Sequence, residues 1–277
     1  MLEQRLADLW ARGRPAVMGI LNITPDSFAD GGRFLDPAVA LRHGLDLLAA
    51  GADLVDVGGE SSRPGAQAVS ATVEIERVVP VLEALARECP DALLSVDTAK
   101  AEVARAALAA GASLVNDVTG GRDPAMLPLV AERDAAIVLM HMRGDPRTMQ
   151  RDTAYADVVG EVHGFLAARA AAAMVAGIPR ERVFLDPGIG FGKDLEGNLQ
   201  LLRALSDLAA CGHPVVLGAS RKSWIGVLTG APVAERLPGS LAALTVAAVL
   251  PRVIVRVHDV AATAQFLAVL TALAGAA

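Results

Sequence analysis

Four basic residues stand where an anion could be gripped: Arg63, Lys222, Arg256 and His258. Guanidinium and ammonium groups form charge-assisted bonds to phosphate oxygens, and arginine does so bidentately. Arg256 and His258 are two apart, so on an extended strand both point to one side. A salt bridge explains any single arginine as well, but the pair, in an acidic chain, points to a site. Asn22 offers a neutral carbonyl oxygen that suits a Mg2+ keeping most of its waters and bridging a diphosphate. Taken alone, Asn22 reads equally as a strand-end turn residue. Asp97, Asn116 and Asp186 can pair with the N–H donors of a flat heterocycle and reject ligands that leave them unpaired. The other reading of these three is a hydrogen-bond network inside the core.

Other chemistries lack their residues. The five histidines (43, 141, 163, 213 and 258) show no HxxxH or HxH spacing for zinc. There is no GxSxG elbow for an acyl nucleophile. Pro187 occupies the first glycine position that a phosphate-cradling loop ending at Lys193 would need, and Arg221 precedes Lys222. Cys89 and Cys211 are far apart and match no metal spacing, so they read as free thiols of a reducing cytoplasm. With 25 Lys and Arg against 31 Asp and Glu, the formal net charge is −6, a poor fit to nucleic acid. The composition is 53% hydrophobic but only 3% aromatic, which excludes disorder and calls for an aliphatic core.

The elements that must carry these residues follow from periodicity. Short apolar runs recur at Val17–Asn22, Leu54–Val57, Leu93–Val96, Leu114–Val118, Ile137–Met140, Val183–Asp186, Val215–Leu217 and Val253–Val257. Segments with helical spacing lie between them, such as Pro37–Ala50 and Ala99–Ala110. Near-continuous apolar strands alternating with helices mean a parallel sheet buried on both faces. Eight such units predict a (β/α)8 TIM barrel filling one domain, residues 1–277, with no linker. GADLVDV at 51–57 and GASLVND at 111–117 echo each other as helix-ending glycines followed by a strand. An N-terminal helix over 1–14 places Leu2, Leu6, Leu9 and Trp10 on one face and lacks the unbroken apolar run of a signal peptide. The uncharged stretch 261–277 is too short and too weakly hydrophobic to span a bilayer. It is expected to be a buried last barrel helix at a subunit contact.

Each expected strand is apolar until its C-terminal end, where a polar cluster follows. In a barrel all such ends meet on one rim, which is where barrel active sites form. Thr98, Asp117 and Asp259 read as caps or turn formers. Eight polar strand ends together exceed what capping needs.

The stretches GILNITPDSFADGG, DVGGESSRPGA, SVDT, NDVTGG, MHMRGDPRTMQ, LDPGIGFGK, ASRKSWIG, GSLAAL and RVHDV occur in this order. Together, from about Met18 to about Val260, they resemble the dihydropteroate synthases of folate biosynthesis. The resemblance implies a Mg2+-dependent transferase. Para-aminobenzoate would attack the exocyclic methylene of 6-hydroxymethyl-7,8-dihydropterin diphosphate, giving 7,8-dihydropteroate and diphosphate. It implies Asn22 as the Mg2+ ligand, and Asp97, Asn116, Asp186, Lys222 and Arg256 around the pterin. Ser62, Arg256 and His258 would contact the diphosphate. Arg63, Pro64, Phe191, Ser223 and Phe28 would form the aminobenzoate side, which sulfonamides mimic. Catalytic weight falls on Asp97, Arg63 and Lys222. The resemblance further implies a cytoplasmic homodimer with small-molecule substrates and no nucleic-acid or membrane partner. Ser62 stands where the family usually has Thr, and Arg143 where Gln is common. Two alternatives keep the same pterin set: a non-catalytic pterin-binding paralogue, and a folate-to-corrinoid methyltransferase.

Overall fold

Strands that are apolar at every position must be covered on both faces, and here a closed barrel does this. The computed structural model describes residues 2–24, 36–61, 65–145 and 148–275. The eight strands are β1 Ala16–Asn22, β2 Leu54–Gly58, β3 Leu93–Asp97, β4 Leu114–Asp117, β5 Ala136–Met140, β6 Val183–Asp186, β7 Val215–Leu217 and β8 Val253–Val257. Each bound lies within a residue of its expected place. All pairs are parallel, and the barrel closes in chain order through β1 and β8. The expected (β/α)8 TIM barrel is therefore the fold.

Alternation sorts the side chains of every strand into two sets. The outward set, including Val17, Leu21, Val55, Val57, Val96 and Ile137, packs under the helices in one continuous apolar layer. The inward set splits along the barrel axis. Its N-terminal half is apolar: Met18, Leu54, Leu114, Val138, Phe184, Val216 and Ile254 form a separate core. Its C-terminal half holds Asp56, Ser95, Asp97, Asn116, Asp186 and Arg256, whose Cα register is set by pairs such as Asp56↔Ser95 and Asp97↔Asn116.

The N-terminal helix, Leu2–Trp10, plugs the apolar end. Leu6 and Leu9 are buried there, and the Trp10 ring lies 6.2 Å from Phe184. Asp53 pins the turn that follows, accepting from Arg14 Nη1 at 2.7 Å and from the Val17 amide at 2.8 Å. Gly51 and Gly111, the two glycines of the internal echo, both take positive φ (102° and 109°). Glycine tolerates that conformation where a helix must turn back into a strand.

Two expectations need correction. The last helix, Val260–Leu273, buries only Val260, Thr263 and Leu267, while Val269 and Leu273 are exposed. Ala and Leu occupy both faces of this helix, so one apolar face stays uncovered. Asp259 does not cap that helix; its carboxylate pairs with Arg221 instead. Among the described residues one helix, Val158–Val175, is long and apolar enough to cross a membrane. It lies along β5 and β6, with Val162, Leu166, Ala170 and Ala173 buried.

Phe184 is fully buried where the plug meets the barrel. Phe184→Ala is expected to cost about 3–5 kcal/mol in denaturant unfolding. A loss under about 1 kcal/mol would show that this layer does not close the barrel.

Candidate active site

The polar half of the barrel interior is organised around one carboxylate. Asp56, fully buried in the middle of β2, accepts from Ser95 Oγ at 2.6 Å on Oδ1. Its Oδ2 accepts from Asn116 Nδ2 at 2.9 Å and from Arg256 Nε at 2.6 Å. Arg256 Nη2 reaches on to Asp97 Oδ2 at 2.7 Å. One guanidinium thus bridges two carboxylates across the barrel. Burial works against its charge, but Asp56 and Asp97 more than offset that and hold it above its ordinary value. A buried cation needs such partners, since an unpaired one is strongly destabilising.

Burial pushes the Asp97 carboxyl up to about 7, and the adjacent Arg256 guanidinium only partly opposes it. Asp186 is also raised by burial, although the Gly188 amide donates to its Oδ1 at 2.7 Å. The Lys222 ammonium lies 4.0 Å over the Phe191 ring, a cation–π contact. Burial and the repulsion of Arg256 push it down to about 8, against the pull of Asp186 and Asp97. Asp97, Asn116, Asp186, Lys222 and Arg256 therefore form one charged constellation at the barrel mouth.

The loop after β6 is shaped by a buried amine. Lys193 Nζ has four acceptors within reach for its three protons: the carbonyls of Phe191 (2.8 Å), Gly188 (2.9 Å) and His141 (3.2 Å), and His141 Nδ1 at 3.0 Å. Burial and Lys193 push His141 down to about 3, so its ring is neutral and accepts through Nδ1. Gly188, at φ 69°, has no room for a side chain: a Cβ would fall 1.9 Å from the His141 carbonyl oxygen. This packing fixes where Phe191 stands. Arg143 supports the same region, stacking 3.6 Å over Tyr155, whose hydroxyl donates to the Gly192 carbonyl.

The loop after β7 contains Arg221, a non-glycine residue at φ 57°. That conformation is costly for any residue with a Cβ and persists only when over-determined. Here the Arg221 amide donates to Ser240 Oγ at 2.9 Å, and its Nε to Asp259 Oδ2 at 2.8 Å. The turn sets Ser220 against His258. Ser220 Oγ accepts from the His258 amide at 3.2 Å and meets His258 Nδ1 at 3.1 Å. In the tautomer that carries the His258 proton on Nε2, the hydroxyl donates to Nδ1 while accepting from the amide.

The expected charge on His258 is corrected. His258 is exposed, yet the walls of the mouth stand close enough to desolvate it. Their desolvation, and after it the repulsion of Arg256 and Arg221, pushes it down to about 4. His258 is a neutral N–H donor near pH 7, not a fourth cation.

Asn22 ends β1 at the rim, and a Cβ at Gly58 would stand 3.2 Å from its Oδ1. Glycine there leaves the oxygen uncovered. No cluster of three His, Cys, Asp or Glu suited to a metal exists among the described residues. A single neutral oxygen fits Mg2+, which keeps several waters and takes few protein ligands, better than a metal needing a full protein cage. Ser223 is exposed at the start of the helix Ser223–Thr229. Phe28, Ser62, Arg63 and Pro64 lie outside the described residues. Glu60 accepts from the Val69 amide at 3.2 Å and pairs with Lys100, which also pairs with buried Glu74. A cavity of about 210 Å3 opens next to Asp97, lined by Glu60, Ser61, Thr98, Val118 and Thr119.

Sequence reasoning missed Asp56, Ser95, Lys193 and the Glu60–Lys100–Glu74 triad. The signal for Asp56 was present: an acid in mid-strand, flanked by Val55 and Val57, has no turn to make. Thr98 and Asp117 hold turns as expected. Thr98 Oγ1 accepts from the Lys100 amide, and Asp117 from the amides of Thr119 and Gly121.

A TIM barrel with a closed apolar floor and a charged mouth at the strand C-termini defines a barrel enzyme. A family model described as pterin binding enzyme matches residues 18–258. A dihydropteroate synthase of Synechocystis is 46% identical over 266 residues, covering 95% of this chain and 91% of the relative. The Yersinia pestis dihydropteroate synthase, solved with a sulfonamide drug, superposes with a TM-score of 0.90 at 44% identity, covering 95% of both chains. The Xanthomonas albilineans enzyme, solved with 4-aminobenzoic acid, gives 0.88 at 49% identity over 94% of this chain and 93% of that one. It has also been solved with 7,8-dihydropteroate. The chain belongs to the pterin-binding enzymes and, within them, to the dihydropteroate synthases.

Burial pushes the Lys193 ammonium down to about 7 from an ordinary 10.5. The unfolded chain then holds this proton more tightly, so stability rises with pH between those values. Lys193→Met is expected to abolish that rise and to cost about 2 kcal/mol at pH 7, by leaving buried carbonyls without a donor. An unchanged pH dependence of unfolding would contradict this.

Proposed function

We propose that the barrel mouth holds 6-hydroxymethyl-7,8-dihydropterin diphosphate and para-aminobenzoate and joins them into 7,8-dihydropteroate. The observation that carries this assignment is the Arg256 guanidinium held between Asp56 and Asp97 at the polar end of the barrel. It gives the mouth a fixed positive charge directly beside a carboxylate. One part of the substrate is a leaving diphosphate and the other becomes cationic as it leaves, so both charges are wanted.

The aniline nitrogen attacks the exocyclic methylene carbon, a new C–N bond forms, and the C–O bond to diphosphate breaks. The electron pair leaves with diphosphate, and the amine loses a proton to solvent. No strong base is required. Asn116, Asp186 and Lys222 hold the pterin ring, and Arg256 lies along it. Asp97, when ionised, stabilises positive charge developing at the methylene. His258 donates Nε2–H to the departing diphosphate, and the Ser62 hydroxyl and Arg256 contact it too. Arg63, Pro64, Phe191, Ser223 and Phe28 form the aminobenzoate side, which is also the surface a sulfonamide would occupy. Asn22 would hold Mg2+ through Oδ1, and a bound ion would supply neutralising charge for the leaving diphosphate. Exposed Val269 and Leu273 support a homodimer, and the free Cys89 and Cys211 support a reducing cytoplasmic setting.

The test is diphosphate release from the purified protein with pterin diphosphate and Mg2+, with and without para-aminobenzoate. Release coupled to dihydropteroate is expected, and release without it would contradict the reaction. Asp97→Asn is expected to remain folded and lose about 10²–10³-fold in kcat; near-normal turnover would remove Asp97 from the chemistry.

The pH profile has a defined sign. Asp97 acts deprotonated, so kcat/KM rises as pH passes about 7. Lys222 acts protonated, so kcat/KM falls as pH passes about 8. A narrow bell between them is expected, its limbs belonging to the coupled cluster. A profile flat from pH 6 to pH 9, about one unit beyond each limb, would contradict it.

A further inference from the structure

Asp56 takes no part in the roles above, yet it contacts two of the residues that have them. It is fully buried, and three donors converge on its two oxygens: Ser95 Oγ, Asn116 Nδ2 and Arg256 Nε. An ionised carboxylate can only accept. Asn116 must therefore turn its Nδ2 toward Asp56, which fixes the amide and leaves Oδ1 as the acceptor available to a ligand. A free asparagine would populate both orientations and read a donor or an acceptor alike. Ser95 matters for the same reason. It anchors Oδ1 of Asp56 from β3, so the carboxylate plane cannot rotate, and Oδ2 stays between Asn116 and Arg256.

The same oxygen grips Arg256 by its Nε edge. The bond from Nη2 to Asp97 can then be exchanged for a ligand contact without freeing the guanidinium. Asp97 alone could balance the charge of Arg256, but it could not orient Asn116.

We infer that Asp56 is a positioning residue for pterin recognition: it sets the hydrogen-bonding sense of Asn116 and clamps Arg256 by its inner edge. This rests on the assignment of the pterin to Asn116 and Arg256. Asp56 itself touches no substrate.

The test is titration of the full-length protein with the pterin diphosphate, alongside steady-state KM values for both substrates. Asp56→Asn keeps the shape but lets residue 56 offer either a donor or an acceptor to Asn116. It is expected to weaken pterin binding about tenfold or more, with KM for para-aminobenzoate unchanged. Asp56→Asn/Asn116→Asp forces an acceptor toward the ligand again, because residue 116 can then only accept. The exchange is expected to recover about threefold or more of the lost affinity, although the charge at position 56 is still missing. A merely structural role for Asp56 would lower unfolding stability and raise KM for both substrates together, rather than weaken pterin binding alone. Pterin binding by Asp56→Asn within about twofold of the native chain, or an exchange variant weaker than the single one, would overturn the inference. Should Asp56→Asn fail to unfold cooperatively, Ser95→Ala is read in its place, with a loss of about two- to fivefold expected and no loss overturning the inference. Asn116→Ala separates the two levels: native-like binding there would overturn the pterin assignment and the inference with it.

Discussion

A buried guanidinium cannot stand alone, and most of the polar half of this barrel follows from that constraint. Arg256 projects inward from β8, where water cannot solvate it fully. It therefore requires Asp56 and Asp97. Those carboxylates require donors of their own, which Ser95 and Asn116 supply to Asp56. Each of these residues must point inward, so the register of β2, β3, β4 and β8 is bound to the ion pair. A one-residue slip in any of these strands would turn its charged group out into the apolar layer beneath the helices.

The same constraint sets the electrostatics of the mouth. Desolvation raises Asp97 and Asp186 and lowers Lys222 and His258. Every one of these groups is thereby brought closer to its neutral form. Little charge is wasted on a mouth whose ligands are themselves charged, and each group gains when the opposite charge arrives. The strained Arg221 turn and the Lys193 staple contribute differently. They hold Ser220 and Phe191 against their partners.

Much of this was legible in the order of residues. Apolar runs ending in polar clusters located eight strands and the rim, because parallel barrels bury both strand faces and work at one end. Asp97, Asn116, Asp186, Lys222 and Arg256 stand together as that pattern requires. What stayed hidden depends on three-dimensional neighbours. Asp56 sits inside an apolar run and shows its purpose only when β8 brings Arg256 across the barrel. Asp259 resembles a helix cap until Arg221, 38 residues earlier, claims it. His258 is basic by type, but the surrounding walls and two guanidiniums keep it neutral. The last helix has an outer face as apolar as its inner one, so composition could not tell which side was buried.

The central claim is electrostatic: Arg256 and burial together set the charge of Asp97. Carbon-13 carboxyl NMR of labelled aspartate, in the native chain and in Arg256→Met, reads that charge directly. The account predicts that Asp97 titrates near 7 and moves higher when the guanidinium is removed. Titration in the ordinary aspartate range near about 4, unmoved by Arg256→Met, would contradict it.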